Sequence, residues 1–353
     1  MTTADPTRKP EDTAETAPDT ASGDRRATDR RSEPWRRGPV LAVLALLLGL
    51  FMLLHPHIPN RIGNVGSLVE TFLPWTGLPI PALAAATLWR RSPTAAVALL
   101  LPAAVWLHLF TATLTDKTRP GGDLTLAGHN LGAANPDPTG TARTLTATGA
   151  DLLALQELTP QARPAYEKAL AHTYPHHTVQ GTVGLWSKLP LTHIRPVDIQ
   201  MDHGPLAATK APETKQAYNR ALRATVTTPH GPLAVYVAHL GSARLTPRTG
   251  FWTTHRNRNA HALAHTIATE PNQRVVLLGD LNATTHDRAL HPLTTQLRST
   301  QDTTGDGFGF TWPATLPVAR IDHILVRGVQ PKSSWVLPAT GSDHRPVAAR
   351  ITW

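Results

Sequence analysis

The chain has 353 residues, a formal net charge of +9 and no cysteine, so a disulfide framework and a thiolate metal site are both excluded. Its length admits one large domain of roughly 200–250 residues plus further segments. The composition changes twice along the chain, so a whole-chain mean hydropathy does not class it as soluble.

Residues 1–37 are rich in Thr, Asp, Arg, Pro and Ala and cannot build a core, which predicts a disordered tail. "GPVLAVLALLLGLFMLL" (Gly38 to Leu54) then runs for 17 residues without a charge, and "TAAVALLLPAAVWLHLFTATL" (Thr94 to Leu114) for 21. Both suit a bilayer crossing. Between them, Val65 to Trp89 is long enough for a third span, although it carries Glu70 and three prolines. No small-x-small cleavage site follows the first span, and 37 residues precede it, so it reads as an anchor rather than a signal peptide. Six Arg within residues 25–37, and Arg90 with Arg91 in a short loop, assign the tail and that loop to the cytoplasm. The expectation is a multi-pass anchor of about three transmembrane helices over residues 38–115. Three crossings place residues 116–353 outside the cytoplasm, whereas two would leave them inside.

From Asp116 onward, 23 Lys and Arg stand against 16 Asp and Glu, a basic balance that suits an anionic substrate or an anionic bilayer surface. Short apolar runs split by Gly, Pro, Asn and Asp replace the long ones. "DLTLAGHNLG" (123–132), "DLLALQEL" (151–158), "VGLWSKLPL" (183–191), a hairpin over 220–241, "RVVLLGDLN" (274–282), "RIDHILVRG" (320–328) and "SDHRPVAARITW" (342–353) read as strands. "RNRNAHALAHTIAT" (256–269) has apolar residues at helical spacing. "HPH" (55–57) reads as an interfacial loop and "YPHHT" (174–178) as a surface turn. Strands with helices between some of them imply a layered α/β domain around two sheets.

Polar residues cluster where these strands end: Asn130, Glu157, His239, Asp280, Asn282, Asp322, Asp343 and His344. Each has a bland reading alone, as a turn residue, a cap, a solvated carboxylate or a core histidine. Together, in the order "HN", "QE", "HL", "GDLN", "RIDHIL" and "SDHRPV", they resemble the endonuclease/exonuclease/phosphatase superfamily of magnesium-dependent phosphoesterases over roughly residues 122–353. The resemblance implies a four-layer α/β sandwich, two facing mixed β-sheets flanked by helices, with the site at one end of the sheets.

It also implies roles. Glu157 is expected to be the main carboxylate ligand of Mg²⁺ or Mn²⁺, with Asn130 orienting the ligand set and Asp343 beside it. Asp280 positions or deprotonates the attacking water, and Asn282 donates to a phosphate oxygen. His344 acts with Asp322 as the carboxylate that fixes its tautomer, and His239 contacts the phosphate or the leaving oxygen. Trp312, in "FTWP" ahead of the "RIDHIL" strand, is a candidate substrate wall.

The superfamily acts on nucleic acids, phosphoinositides, sphingomyelin and other phosphoesters, so the fold does not choose a substrate. An N-terminal helical anchor before such a domain is similar to the membrane-bound teicoplanin-resistance proteins, proposed to act on a polyprenyl pyrophosphate of cell-wall synthesis. The leading expectation is therefore a lipid-pyrophosphate phosphatase at the outer membrane face. The alternatives are an anchored nuclease or phospholipid phosphodiesterase and, from another class, a non-catalytic binding module. The missing Lys/Arg stripe with interleaved aromatics weighs against nucleic acid, and the filled catalytic positions weigh against the binding module.

Overall fold

The computed structural model describes residues 38–199 and 219–353; the expected tail over 1–37 lies outside them. Two helices, α1 (Pro39–Leu54) and α4 (Pro93–Leu114), fall where apolar spans are expected. Both are long and apolar enough to cross a membrane. The segment Val65 to Trp89 is not one helix. It divides into α2 (Val65–Thr71), a 3-10 turn over Leu73–Gly77 and α3 (Pro79–Arg90). Pro74 and Pro79 each sit where a new helical piece starts, because proline supplies no N–H to continue the previous one. Glu70, expected near the end of a span, is instead buried against Arg288 of the domain that follows α4.

These helices have a definite sense. A Cβ on Gly38 would lie 3.0 Å from Ser92 Oγ, and one on Gly49 2.7 Å from Leu101 Cγ, so α1 and α4 run parallel. Trp106 Nε1 donates to Pro74 O at 2.9 Å, so α3 runs back antiparallel to α4. The starts of α1 and α4 thus share one end with Arg90 and Arg91, and their last turns share the other end with the domain that follows.

That domain contains two mixed six-stranded sheets. The first is built from β1 (Leu124–Asn130), β2 (Leu152–Gln156), β3 (His176–Gln180), β4 (Val183–Ser187), β13 (Gln330–Val336) and β14 (Val347–Thr352), in the order β13-β14-β1-β2-β4-β3. The second is built from β5 (Leu191–Pro196), β6 (Ala221–Thr228), β7 (Gly231–His239), β10 (Val275–Asp280), β11 (Arg298–Ser299) and β12 (Asp322–Arg327), in the order β11-β12-β10-β7-β6-β5. A small hairpin of β8 (Arg244–Thr246) and β9 (Gly250–Trp252) stands apart. The "YPHHT" stretch expected as a surface turn is largely the edge strand β3, whose His177 stacks on Trp186.

Alternation along each strand creates the layers. Leu124 and Leu126 of β1 meet Val235, Val237, Val276, Leu278, Ile324 and Val326 between the sheets. The opposite face of the first sheet, with Ala127, Leu153 and Leu155, is covered by α5 (Pro138–Thr146) and α6 (Arg163–Leu170). The opposite face of the second, with Tyr236, Val275 and Leu277, is covered by α7 (Thr254–Ala268). The fold is the expected four-layer α/β sandwich after N-terminal helices.

The helical segment before the α/β domain is not a passive tether. Arg288 Nε and one terminal nitrogen reach Glu70 Oε1 at 2.9 and 2.6 Å, and Arg288 N donates to Glu70 Oε2 at 3.0 Å. Ser67 Oγ donates to Asp287 Oδ1, and Trp75 Nε1 to Val318 O at 2.7 Å. Asp287 in turn holds the fully buried Arg256 of α7. Helix α2 is thereby pinned to the loop that follows the end of β10.

Candidate active site

The inter-sheet rows explain how a core strand delivers carboxylates. On β7, β10 and β12, positions 235 and 237, 276 and 278, and 326 and 324 point into the core. Two residues further along each row come His239, Asp280 and Asp322, on the same face and past the last apolar layer. Register aligns them, since Asp280 pairs with His239 on one side and with Asp322 on the other. On the first sheet Asn130 pairs with Gln156. Glu157 then takes φ 54°, a left-handed conformation rare for a residue with a Cβ, and Asn282 takes φ 51°. Strain of this kind, of order 1–3 kcal/mol, gathers at functional sites.

The side chains converge. Asn130 Nδ2 donates to Asp280 Oδ2 at 2.9 Å and to Glu157 Oε1 at 3.2 Å, while its Oδ1 accepts from Gly132 N. Ala133 N donates to Glu157 Oε2 at 2.9 Å. His239 Nε2 lies 3.5 Å from Asp280 Oδ2 and 3.6 Å from Glu157 Oε1, buried and without a hydrogen bond among the described residues. His344 Nδ1 meets Asp322 Oδ2 at 2.9 Å, and its Nε2 lies 3.9 Å from Asp280 Oδ2. Trp312 and Asp343 line the same pocket, a cavity of about 340 Å³.

Two assignments gain detail. The Asn282 amide donates to Leu240 O at 3.0 Å and to Asp280 Oδ2 at 3.1 Å, so in this arrangement it positions Asp280 rather than offering an N–H to a phosphate. Asn130 turns its nitrogen, not its oxygen, toward the carboxylates, and so orients Glu157 and Asp280 rather than ligating.

Electrostatics set the protonation pattern. Burial, reinforced by the charge of Asp322, pushes Asp280 up to about 7. Burial opposes a charge on His344, but the Asp322 carboxylate, its hydrogen bond and Asp280 raise it to about 10. Burial also favours ionisable Asp322 in its neutral form, yet His344 outweighs this and lowers it. Burial, then Arg220 and His344, hold His239 neutral.

Some contributors were not legible in sequence. Ser342 Oγ donates to Asn130 O and accepts from His344 N, tying the loop before β14 to the end of β1 at the site. Arg220 donates to His239 O and Leu240 O, both at 2.9 Å. Thr311 Oγ1 accepts from Asp322 N at 3.4 Å and from Ile321 N at 3.2 Å. Most unexpected are Leu68, Thr71 and Phe72, which bring the end of α2 into the pocket wall beside Leu245 and Phe251. Only the "SDH" spelling around Ser342 carried any local signal.

A family model described as the endonuclease/exonuclease/phosphatase family matches residues 127–344. The chain belongs to that family. Members of the endonuclease/exonuclease/phosphatase family are generally metal-dependent hydrolases of phosphoester bonds. No curated protein matches the sequence. Among solved structures, the chain is similar to the mannosyl-6-phosphatase Bt3783 of Bacteroides thetaiotaomicron, with TM-score 0.52 and 15% identity over 65% of this chain and 100% of that one. It is likewise similar to D. rerio TDP2 complexed with a single-strand DNA product, with TM-score 0.52 and 18% identity over 65% and 99% of the two chains. A Bacteroides vulgatus protein of the family gives 0.51 and 16% identity over 65% and 99%. These likenesses concern the fold.

The donor set fits a divalent cation of the kind family members use. Glu157, Asp280 and Asp322 crowd one end of the sheets, and Asp280 is raised first by burial and then by the charge of Asp322, a charge that a cation would offset. Asp280, Asp322 and His344 each place a ligand-type atom within 4.8 Å of the others. The His344–Asp322 bond engages His344 Nδ1 and Asp322 Oδ2, while Glu157 lines the pocket and is the least buried of these carboxylates. Carboxylate oxygens, in a chain without cysteine, favour a hard ion.

Proposed function

We propose that this chain is a membrane-anchored, divalent-metal-dependent hydrolase of a lipid phosphate or pyrophosphate, with undecaprenyl pyrophosphate the leading substrate. One observation carries the reading. Leu68, Thr71 and Phe72, from the segment between the two apolar helices, wall the same pocket as Glu157, Asp280 and His344. A substrate in that pocket touches both a phosphate-cleaving centre and the anchor. A soluble phosphate ester has no use for such a wall.

A divalent cation held by Glu157, with Asp343 alongside and Asn130 orienting, supplies Lewis-acid polarisation of the phosphate when bound. Asp280, poised near neutrality and held by Asn130 and Asn282, accepts a proton from the attacking water. His344, kept cationic by Asp322, presents its Nε2 side to the phosphate and stabilises charge on its oxygens. His239 contacts the phosphate or the leaving oxygen through its unpaired Nε2. Trp312 flanks the substrate.

The helix directions and the Arg clusters support an extracytoplasmic catalytic domain. Arg90 and Arg91 share an end with the start of α1, which follows the Arg-rich tail, and α3 carries the chain back before α4. Glycopeptide (teicoplanin) resistance through cell-wall synthesis is the corresponding phenotype. A basic strip of Arg220 and Arg244 beside Trp252 favours an anchored nuclease as the second reading. Full-length protein in lipid nanodiscs with Mg²⁺, given undecaprenyl pyrophosphate, phospholipid and plasmid DNA in parallel, decides between them. Rapid nicking of DNA with the polyprenyl substrate untouched would overturn the lipid reading.

A further inference from the structure

A second cavity, of about 560 Å³, lies where the apolar helices meet the catalytic domain. Its size falls within the range of small-molecule sites, roughly 300–1,000 Å³. The 3-10 turn and α3 supply Trp75 and Ile80, α4 supplies Ala103 and Trp106, and the loop before β12 supplies Phe308 and Phe310. Among the described residues, no charged side chain lines it. Stacking fixes its walls: Trp75 lies on Phe310 with ring centroids 5.6 Å apart, and Phe308 on Phe310 at 5.1 Å. Trp106 reaches Phe308 at 6.4 Å.

This cavity adjoins the catalytic pocket through two chain segments. Phe72 lines the catalytic pocket, and Trp75, three residues on, lines the apolar cavity. Trp312 lines the first and Phe310 the second. The partition between them is a single ridge, in which Trp75 Nε1 donates to Val318 O and Val318 N donates to Trp312 O. Ala103 to Leu107 lie 7–11 residues before the end of α4 at Leu114, or on the order of 10–17 Å along the helix axis. Phe110, three residues beyond Leu107, packs against Phe308 and His286, so the cavity sits where α4 meets the catalytic domain. Leu78 and Leu107, both exposed, flank the opening, which therefore faces where lipid would be.

We infer that this cavity seats the hydrocarbon chain of the substrate lipid while its phosphate occupies the catalytic pocket. The inference rests on the lipid reading given above. Adjacency to the catalytic pocket across one ridge and an uncharged, aromatic lining select this occupant over a second protein. The chain leaves the bilayer side, crosses the Phe72–Trp75 ridge and delivers the phosphate to Asp280 and His344. The cavity then acts as a length gauge, because each methylene seated there leaves water or disordered lipid for fitted aromatic walls.

Full-length protein in detergent micelles with Mg²⁺ tests this with geranyl, farnesyl and geranylgeranyl pyrophosphate, and with para-nitrophenyl phosphate as a chainless reference. The expected result is a KM that falls at least about tenfold from the shortest to the longest chain. Ala103→Trp and, on the opposite wall, Ile80→Trp should flatten that series while leaving turnover of the chainless ester unchanged. A photoreactive polyprenyl pyrophosphate should label Trp75 to Pro81 and Ala103 to Leu107. Turnover independent of chain length in the wild type, or a length preference that survives both substitutions, overturns the inference and leaves the lipid reaction standing. Labelling of those segments without any hydrolysis keeps the seat and removes the proposed reaction.

Discussion

His344 Nδ1 lies 2.9 Å from Asp322 Oδ2, and this single bond joins the loop before β14 of the first sheet to the start of β12 in the second. It makes His344 a standing cation at neutral pH. Asp322→Asn keeps the shape and removes the charge. Turnover should fall by about 10²–10⁴ in both Asp322→Asn and His344→Asn, the range for a positioned acid or base. Circular dichroism showing intact folding with full activity in His344→Asn would refute the role.

The pH profile follows from the same pair. Asp280 must be ionised to accept a proton, so kcat should rise as pH passes about 7. His344 must be protonated, so the alkaline limb should come only as pH approaches about 10. Asp322→Asn removes the main raising influence on His344 and should bring the alkaline limb to lower pH. A profile unchanged in that variant counts against the assignment.

Asn130 offers a test of the cation site that does not remove a ligand. Its amide holds both Glu157 and Asp280, so Asn130→Ala should weaken Mn²⁺ binding by about 10–100-fold, as loss of an orienting partner does elsewhere. Glu157→Ala should weaken it further. Titration followed by electron paramagnetic resonance of free Mn²⁺ reads this directly, and equal affinity in wild type and both variants contradicts the ligand set.

Glu70 tests whether the segment between the two apolar helices belongs to the site. Glu70→Ala leaves Arg288 without its partner and frees α2 from the loop after β10. Breaking a fully buried pair costs about 3–5 kcal/mol, and less here because Arg288 is about a third exposed. The melting temperature should drop, and the KM for lipid substrate should rise more than that for para-nitrophenyl phosphate. Residues 116–353 alone should show the same selective loss, because they lack Leu68 and Phe72. Equal losses on both substrates would point to a purely structural link.

Acid stability should depend on a site remote from catalysis. Burial opposes the charge on Glu270, but Arg223, Tyr236 and Asn272 bond its carboxylate and hold it at about 2. A depressed carboxylate stabilises the fold fully above its ordinary value of 4.5, and that contribution fades as pH falls from there toward about 2. It amounts to about 3 kcal/mol. Urea midpoints of Glu270→Gln should lose much of the wild-type decline over that interval, and parallel curves for the two proteins would exclude the linkage.

Much of the catalytic centre could be read without coordinates, for a geometric reason. Asp280, Asp322 and His239 each stand at the polar end of an apolar run, so the sequence alone puts them at strand ends, while the fold decides which of two apolar faces they share. The motif order then implied the family and the sandwich. Their partners were another matter. Whether Asn282 faces a phosphate or Asp280 depends on a φ of 51° and on where Leu240 O falls, neither of which local spelling encodes.

Sequence by itself determined the α/β class, the polar strand ends and the two apolar helices, since periodicity and hydropathy are properties of consecutive residues. Tertiary structure alone decided what Val65 to Trp89 does. Its composition reads as one more crossing, because hydropathy adds up side chains without knowing their partners. Glu70 has such a partner 218 residues away in Arg288, and the charge pair fastens α2 to the loop after Asp280. The half of the segment that bears Glu70 therefore becomes a wall of the catalytic pocket, and only the Pro79–Arg90 half runs back beside the apolar helices. Long-range pairing of this sort has no period, so only the folded chain displays it.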